Sequence, residues 1–249
     1  MTETVTRSAE SPESAADERE ARMQLAAAYR LIERFGMSDL IYTHISLRVP
    51  GSQHHFLLNP HGRLFNQITA SSLVKVDLGG NIIGHSAHGV NRAGVAIHGA
   101  ILEARPDINC VVHTHTPYSI AVSALQGGLL PLSQFAMRFH NQLGYHDYGR
   151  AATDPTERSR LAEDLGNNWA MILRNHGLLA TGKTVGEAFS TAYYLEEACK
   201  VQILAQCTGL PLVIPSEETY SSVHVPGVEE RAWPALLEML DVEDPSYRD

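Results

Sequence analysis

Residues 110–117 read Cys110-Val111-Val112-His113-Thr114-His115-Thr116-Pro117. An apolar run ends in two histidines at i and i+2, and Pro117 blocks continuation of the strand. Side chains at i and i+2 of a β-strand project from one face. His113 and His115 therefore project together from the end of a buried strand, where the binding sites of α/β proteins gather. Two imidazoles on one side can hold a divalent metal once a third ligand arrives. Alone, they would serve equally well as hydrogen-bonding loop residues.

A second pair of apolar runs supplies the third nitrogen. Ala170 to Leu173 reads as a short buried strand and Leu178 to Ala180 as its return, with Arg174-Asn175-His176-Gly177 between them. Gly177 permits a tight turn, so His176 can sit at a strand end and face the same cleft. Three histidines would leave one coordination position open, as catalytic sites do. No cysteine is placed to close it.

The rest of the chain fits one α/β domain built on a mostly antiparallel sheet with helices on its faces. Helical spacing of Leu25, Ala28, Tyr29, Ile32 and Phe35 predicts a helix over 17–35, ended by Gly36. Strands are expected over 41–49 and 55–59, with a hairpin joining 72–76 to 81–83 through Asp77-Leu78-Gly79-Gly80. A polar loop over 84–92 leads to a helix over 93–104. Pro117 opens a helix to about Leu125. Gly127-Gly128 opens an irregular stretch, and 144–149 is a strand or loop between glycines. A polar helix over 156–165 is expected, capped by Thr153 or Asp154 with Pro155 at its first position. The last clear helix spans 184–206, where Thr184 and Glu187 form a capping-box pattern. Residues 1–16 carry almost nothing apolar to bury and are expected to form a disordered acidic tail. The domain proper is assigned to 17–209 and a C-terminal extension to 210–249, which should cover a neighbour or hang free.

Composition excludes several classes. The net charge of −9 argues against a nucleic-acid footprint. The three cysteines form no CxxC pair, so neither a disulfide framework nor a thiolate zinc site is indicated, and a reduced cytoplasm suits them. No apolar run reaches the ~20 residues of a membrane helix, and no signal-peptide pattern opens the chain.

From about residue 22 to 207 the chain resembles the class II aldolase and adducin N-terminal domain family. The matching strings are Thr43-His44-Ile45-Ser46-Leu47-Arg48-Val49, Leu58-Asn59-Pro60-His61-Gly62, Thr69-Ala70-Ser71-Ser72-Leu73-Val74-Lys75-Val76, Ala104-Arg105-Pro106-Asp107, Val112-His113-Thr114-His115-Thr116 and Leu173-Arg174-Asn175-His176-Gly177-Leu178. The resemblance implies a three-layer α/β/α fold and a homo-oligomer, usually a tetramer, with sites between subunits. It also implies that His113, His115 and His176 bind a divalent metal, zinc in the aldolases. Ligand type alone leaves manganese and iron open as well.

The chain departs from the family's sugar-phosphate aldolases. Their Ser-Ser-Glu run corresponds to Arg92, Ala93 and Gly94, which cannot hold a phosphate through serines or move a proton through glutamate. An aromatic acid of the aldolases corresponds to Phe135. The stretches Val90 to His98, Leu129 to Ser133 and Tyr145 to Tyr148 resemble an adducin-like bacterial branch of the family. On the loops that cradle substrate in the family, His44 and His61 are candidates to replace the lost acid/base. Arg92 is a candidate for binding a substrate carboxylate and Asn175 for orienting substrate. His98, on the apolar face of its helix, is expected to be a satisfied buried histidine. These features point to a metal-dependent carbon–carbon lyase, performing aldol cleavage or decarboxylation of a small oxo- or hydroxy-acid other than a sugar phosphate. A non-haem Fe(II) oxygenase of secondary metabolism and a non-catalytic adducin-like interaction module are the alternatives.

Overall fold

The computed structural model describes residues 12–149, 156–221 and 228–249. Seven strands form one mixed sheet: β1 (His44–Arg48), β2 (His55–Leu58), β3 (Val74–Asp77), β4 (Cys110–Thr114), β5 (Leu143–His146), β6 (Ala170–Leu173) and β7 (Gly177–Gly182). Their order across the sheet is β3-β2-β1-β4-β7-β6-β5. Only β5 and β6 run parallel; every other neighbouring pair is antiparallel. The strand that carries His113, β4, thus lies at the centre of the sheet, between β1 and β7.

Period-2 alternation divides the sheet into two apolar faces. One face presents Ile45, Val112, Ile172 and Leu178 to α1 (Pro12–Arg34), α6 (Val185–Gln206) and α8 (Val228–Glu243). The other presents Phe56, Val76, Val111 and Leu179 to α2 (Arg92–Ala104) and α5 (Glu157–Leu165). The result is the expected three-layer α/β/α arrangement. Each fully buried Leu, Ile or Phe contributes roughly 1.5–3 kcal/mol to holding these layers together.

Two buried polar side chains fix the layers around the site. The Tyr29 hydroxyl of α1 accepts the backbone N–H of Ile45 at 2.7 Å and that of Asn59 at 3.2 Å, tying the start of β1 to the end of β2. The Arg48 guanidinium of β1 donates to the carbonyl of Leu102 at 2.7 Å and to that of Ile108 at 3.0 Å. It therefore anchors the C-terminal end of α2 beside the entry to β4.

Several element bounds differ from the sequence reading. Helix α1 begins at Pro12, so residues 12–16, expected in the disordered tail, are helical. The first strand starts only at His44, because Leu40 and Thr43 take left-handed backbone angles with φ of 49° and 67°. The return arm of the expected hairpin is a single bridge between Val76 and Ile82. The short helices α3 (Pro117–Ser123), α4 (Gln134–Met137) and α7 (Glu217–Ser221) complete the set, and of these only α3 was expected. The predicted caps Thr153, Asp154 and Pro155 lie outside the described residues, as does most of the predicted tail. The C-terminal stretch folds back on its own chain: Tyr247 is buried, and Arg30 pairs with Asp244 at 3.1 Å.

Candidate functional site

His113 is the penultimate residue of β4, His115 is the first residue beyond the strand, and His176 sits in the turn from β6 to β7. Because β4 pairs with β7, with Thr114 opposite Leu178, these three converge at one end of the sheet centre. One nitrogen from each lies within 4.8 Å of the others. The His115 Nε2 is 3.0 Å from the Nε2 of both His113 and His176. Four-coordinate zinc with Zn–N of ~2.0–2.1 Å sets ligand nitrogens about 3.3–3.4 Å apart, so the triad is close to a chelating geometry.

Outer contacts decide which nitrogens are free. The His113 Nδ1 donates to the Leu178 carbonyl at 2.9 Å, and the His115 Nδ1 donates to the Asp39 carboxylate at 2.8 Å. With both Nδ1 positions committed, the Nε2 lone pairs face one another. Such a cluster of acceptors repels itself unless a cation sits between them, and orienting hydrogen bonds of this type usually accompany metal-ligating histidines. Burial and the neighbouring imidazoles push the His113 pKa well below its ordinary value. Burial chiefly, then His115, lowers that of His176 to about 4. Both are held as the neutral imidazole that a metal requires. The residues present therefore fit a divalent cation.

The backbone is tightly built here. A Cβ on Gly177 would lie 2.2 Å from the Thr114 carbonyl oxygen, so only glycine lets the β6–β7 turn approach β4 this closely. The left-handed backbone of Thr43 is costly for a β-branched residue and immediately precedes His44. The hydroxyls of Thr43 and Thr114 are buried without a partner among the described residues.

His44 is the candidate the structure brings to the triad. It faces His113 across β1 and β4, with ring centroids 5.0 Å apart. Its Nδ1 lies 2.8 Å from the Nε2 of His98, whose Nδ1 meets the Ser46 hydroxyl. His98 is thus the satisfied buried histidine expected from its helix face. Burial first, and neighbouring histidines second, push the pKa values of both His44 and His98 well down.

Among the described residues, no hydrogen bond or ring contact joins the side chains of His61, Arg92 or Asn175 to the triad, although Asn175 directly precedes His176. His61 occupies an exposed turn held by its backbone N–H to the Gly89 carbonyl at 2.8 Å. Arg92, the first residue of α2, lines a cavity of about 330 Å³ with Gly80, Asn81 and Arg158 but no triad residue. Asn175 is exposed, and its left-handed φ of 56° accounts for an asparagine in that turn.

Sequence reasoning missed Asp39, which no periodicity marks, and Glu196 of α6. The buried Glu196 carboxylate accepts the Ser119 N–H at 3.0 Å and the Thr116 hydroxyl, fixing the helix that follows His115. Of the aromatic run 145–148, Tyr148 approaches the site, its ring 5.8 Å from that of His176. His146 instead lies between Asp164 at 2.7 Å and Glu157 at 2.9 Å, joining α5 to the sheet. Phe135 packs on Tyr194, with ring centroids 5.5 Å apart.

Residues 23–203 match the family described as Class II Aldolase and Adducin N-terminal domain. The crystal structure of an aldolase II superfamily protein from Pseudomonas syringae superposes with a TM-score of 0.90 at 47% identity, covering 96% of this chain and 98% of that one. An L-fuculose 1-phosphate aldolase from Glaciozyma antarctica superposes with a TM-score of 0.85 at 28% identity, over 98% of both chains. Alpha-adducin of Rattus norvegicus is 48% identical over 185 residues, which are 73% of this chain and 25% of that protein. The chain belongs to the class II aldolase and adducin N-terminal domain family.

Proposed function

We propose that this family member is a metal-dependent carbon–carbon lyase that acts on a small oxo- or hydroxy-acid rather than a sugar phosphate. The observation that carries the reading is the triad of His113, His115 and His176, with the Nδ1 atoms of His113 and His115 committed elsewhere and the Nε2 atoms converging. A divalent cation, zinc first among the candidates, supplies Lewis acidity toward a substrate carbonyl when held there. Asp39 and the Leu178 carbonyl orient the ligating rings, and Glu196 holds the start of α3 against the strand end. His44 is the polar side chain beside the triad that meets the substrate. Gly94 offers no side chain to hold or transfer a proton, which supports a reaction other than the one carried out through a carboxylate at that position.

Large apolar side chains near the site are exposed: Leu40 follows Asp39, Tyr42 bridges to Asp39 and Tyr148 packs on His176, and they are 70%, 52% and 65% exposed. Exposed patches of this kind favour burial against another surface, which supports a homo-oligomer closing over each site. Among the described residues no helix is long and apolar enough to cross a membrane.

The adducin likeness supports a second reading, a non-catalytic interaction module that keeps the metal for stability. Metal analysis of protein purified without added metal, followed by anaerobic turnover assays on oxo- and hydroxy-acids, separates the two. Bound zinc or manganese with carbon–carbon cleavage supports the lyase. A metal-bound protein that turns over nothing supports the module. Iron with substrate-dependent oxygen consumption would replace both with an oxygenase.

A further inference from the structure

Gly94 and His44 are a matched pair. A Cβ on Gly94 would lie 2.7 Å from the His44 Cδ2 and 3.0 Å from its Nε2. The imidazole therefore occupies the volume that any side chain at position 94 would need. Behind it runs a buried chain of polar groups, His44 Nδ1 to His98 Nε2 at 2.8 Å and His98 Nδ1 to the Ser46 hydroxyl. Side chains 44, 46 and 113 share the sheet face that α2 covers, since they alternate in register on β1 and β4.

The direction of this chain follows from satisfaction of its far end. Ser46 is fully buried, and among the described residues its hydroxyl has one partner, His98. A buried donor left unused costs more than a spare lone pair, so the Ser46 O–H donates to the His98 Nδ1. A neutral imidazole carries one N–H. The proton of His98 is then on Nε2 and donates to the His44 Nδ1, which places the proton of His44 on its own Nε2.

We propose that Ser46 and His98 are positioning residues that hold His44 as its Nε2–H tautomer, so that His44 meets the substrate as a hydrogen-bond donor rather than as a base. In this role a neutral imidazole stabilises charge developing on a substrate oxygen, with no net proton transfer. It also has no Nε2 lone pair to offer a metal. The inference rests on the proposed metal-site reading only in placing that Nε2 beside the substrate.

The test is nitrogen NMR of the full-length, metal-free protein with 15N-labelled histidine, with the His44 signals assigned by difference from His44→Asn. The expected result is one tautomer at His44, protonated at Nε2, and the same tautomer after Zn2+ is added. Ser46→Ala should make a second, Nδ1–H tautomer appear, and Ser46→Thr, which keeps the hydroxyl, should remove it again. A His44 protonated at Nδ1 in the wild type overturns the inference, as does a His44 Nε2 that shifts on Zn2+ binding. A tautomer unmoved by Ser46→Ala overturns the role of Ser46. Zn2+ binding that is unchanged in His113→Ala would instead overturn the metal reading and leave the tautomer result standing.

Discussion

Removing the carboxylate behind His115 should weaken the metal site without touching a ligand. In Asp39→Ala the His115 Nδ1–H loses an acceptor now 2.8 Å away, and the ring is free to turn. Loss of such a partner costs roughly 10- to 100-fold in metal affinity, or about 1.4–2.7 kcal/mol. The Asp39 side chain is 38% exposed, so water can take over part of its role. The lower end therefore applies, about tenfold. Asp39→Asn keeps an acceptor oxygen but removes the charge, and charged hydrogen bonds are roughly twice as strong as neutral ones, so a loss of about threefold is expected. His115→Ala should lose more than either. Competition for Zn2+ with a chromophoric chelator at pH 7, without substrate, measures all three. If Asp39→Ala binds within about twofold of wild type while His115→Ala does not bind, the carboxylate has no part in orienting the ring.

Three further outcomes follow from the same geometry. Gly177→Ala drives a Cβ against the Thr114 carbonyl oxygen and should cost about 1–3 kcal/mol or more in urea unfolding; it should also weaken Zn2+ binding by parting His176 from His113 and His115, and unchanged binding would contradict the shared geometry. Glu196→Ala leaves the Ser119 N–H unsatisfied and should destabilise by about 1–3 kcal/mol, read from the same urea transitions. In the metal-free protein, His44, His98, His113 and His176 all have folded pKa values below the ordinary imidazole value. The unfolded chain therefore binds more protons than the folded one as pH falls below about 6.5. Stability should be fully present above that range and should fall on acidification toward about 4, the His176 value. A urea midpoint flat over that window would contradict the buried, neutral histidines.

The central strand and its ligands were legible because they rest on short-range rules. Period 2 placed His113 and His115 on a strand end, and the glycine after His176 marked the return turn. Helical spacing likewise found α1, α2 and α6, and helix-start signals found α3 and α5. The spacing missed α4 and α7, which are too short to show a stripe, and α8, which carries Pro234 inside it. Asp39 was invisible for another reason: it lies 76 residues from His115, in a turn whose left-handed Leu40 leaves no periodic signal. His61 was a candidate through a substrate loop of the family, Arg92 through its guanidinium and Asn175 through its amide beside His176, and no side-chain contact among the described residues joins them to the triad. Gly94 reads from sequence only as a missing side chain. That a histidine 50 positions earlier fills the vacated volume depends on the packing of α2 over β1, which no local pattern encodes.

That packing bears on what the triad can do. His44 lies beside the three triad histidines, and four nitrogen ligands would close a tetrahedral site, as structural zinc sites are closed. His44 faces His113 directly, so its neighbourhood does not by itself keep it from ligating. On the proposed tautomer, what holds it apart is the 2.8 Å contact from its Nδ1 to His98. With the proton of His44 directed to Nε2 by that contact, the ring can donate to a bound oxygen but cannot coordinate. The fourth position is then left for a ligand with an oxygen to offer. On this reasoning Ser46 and His98, which lie outside the triad, decide whether the cluster is a closed support for the fold or an open centre with a hydrogen-bond donor beside it. A His98→Leu protein that folds should therefore bind Zn2+ more tightly than the wild type, because His44 becomes free to ligate. Affinity unchanged or weakened in that variant would mean that the fourth position is kept open by something other than the His98 contact.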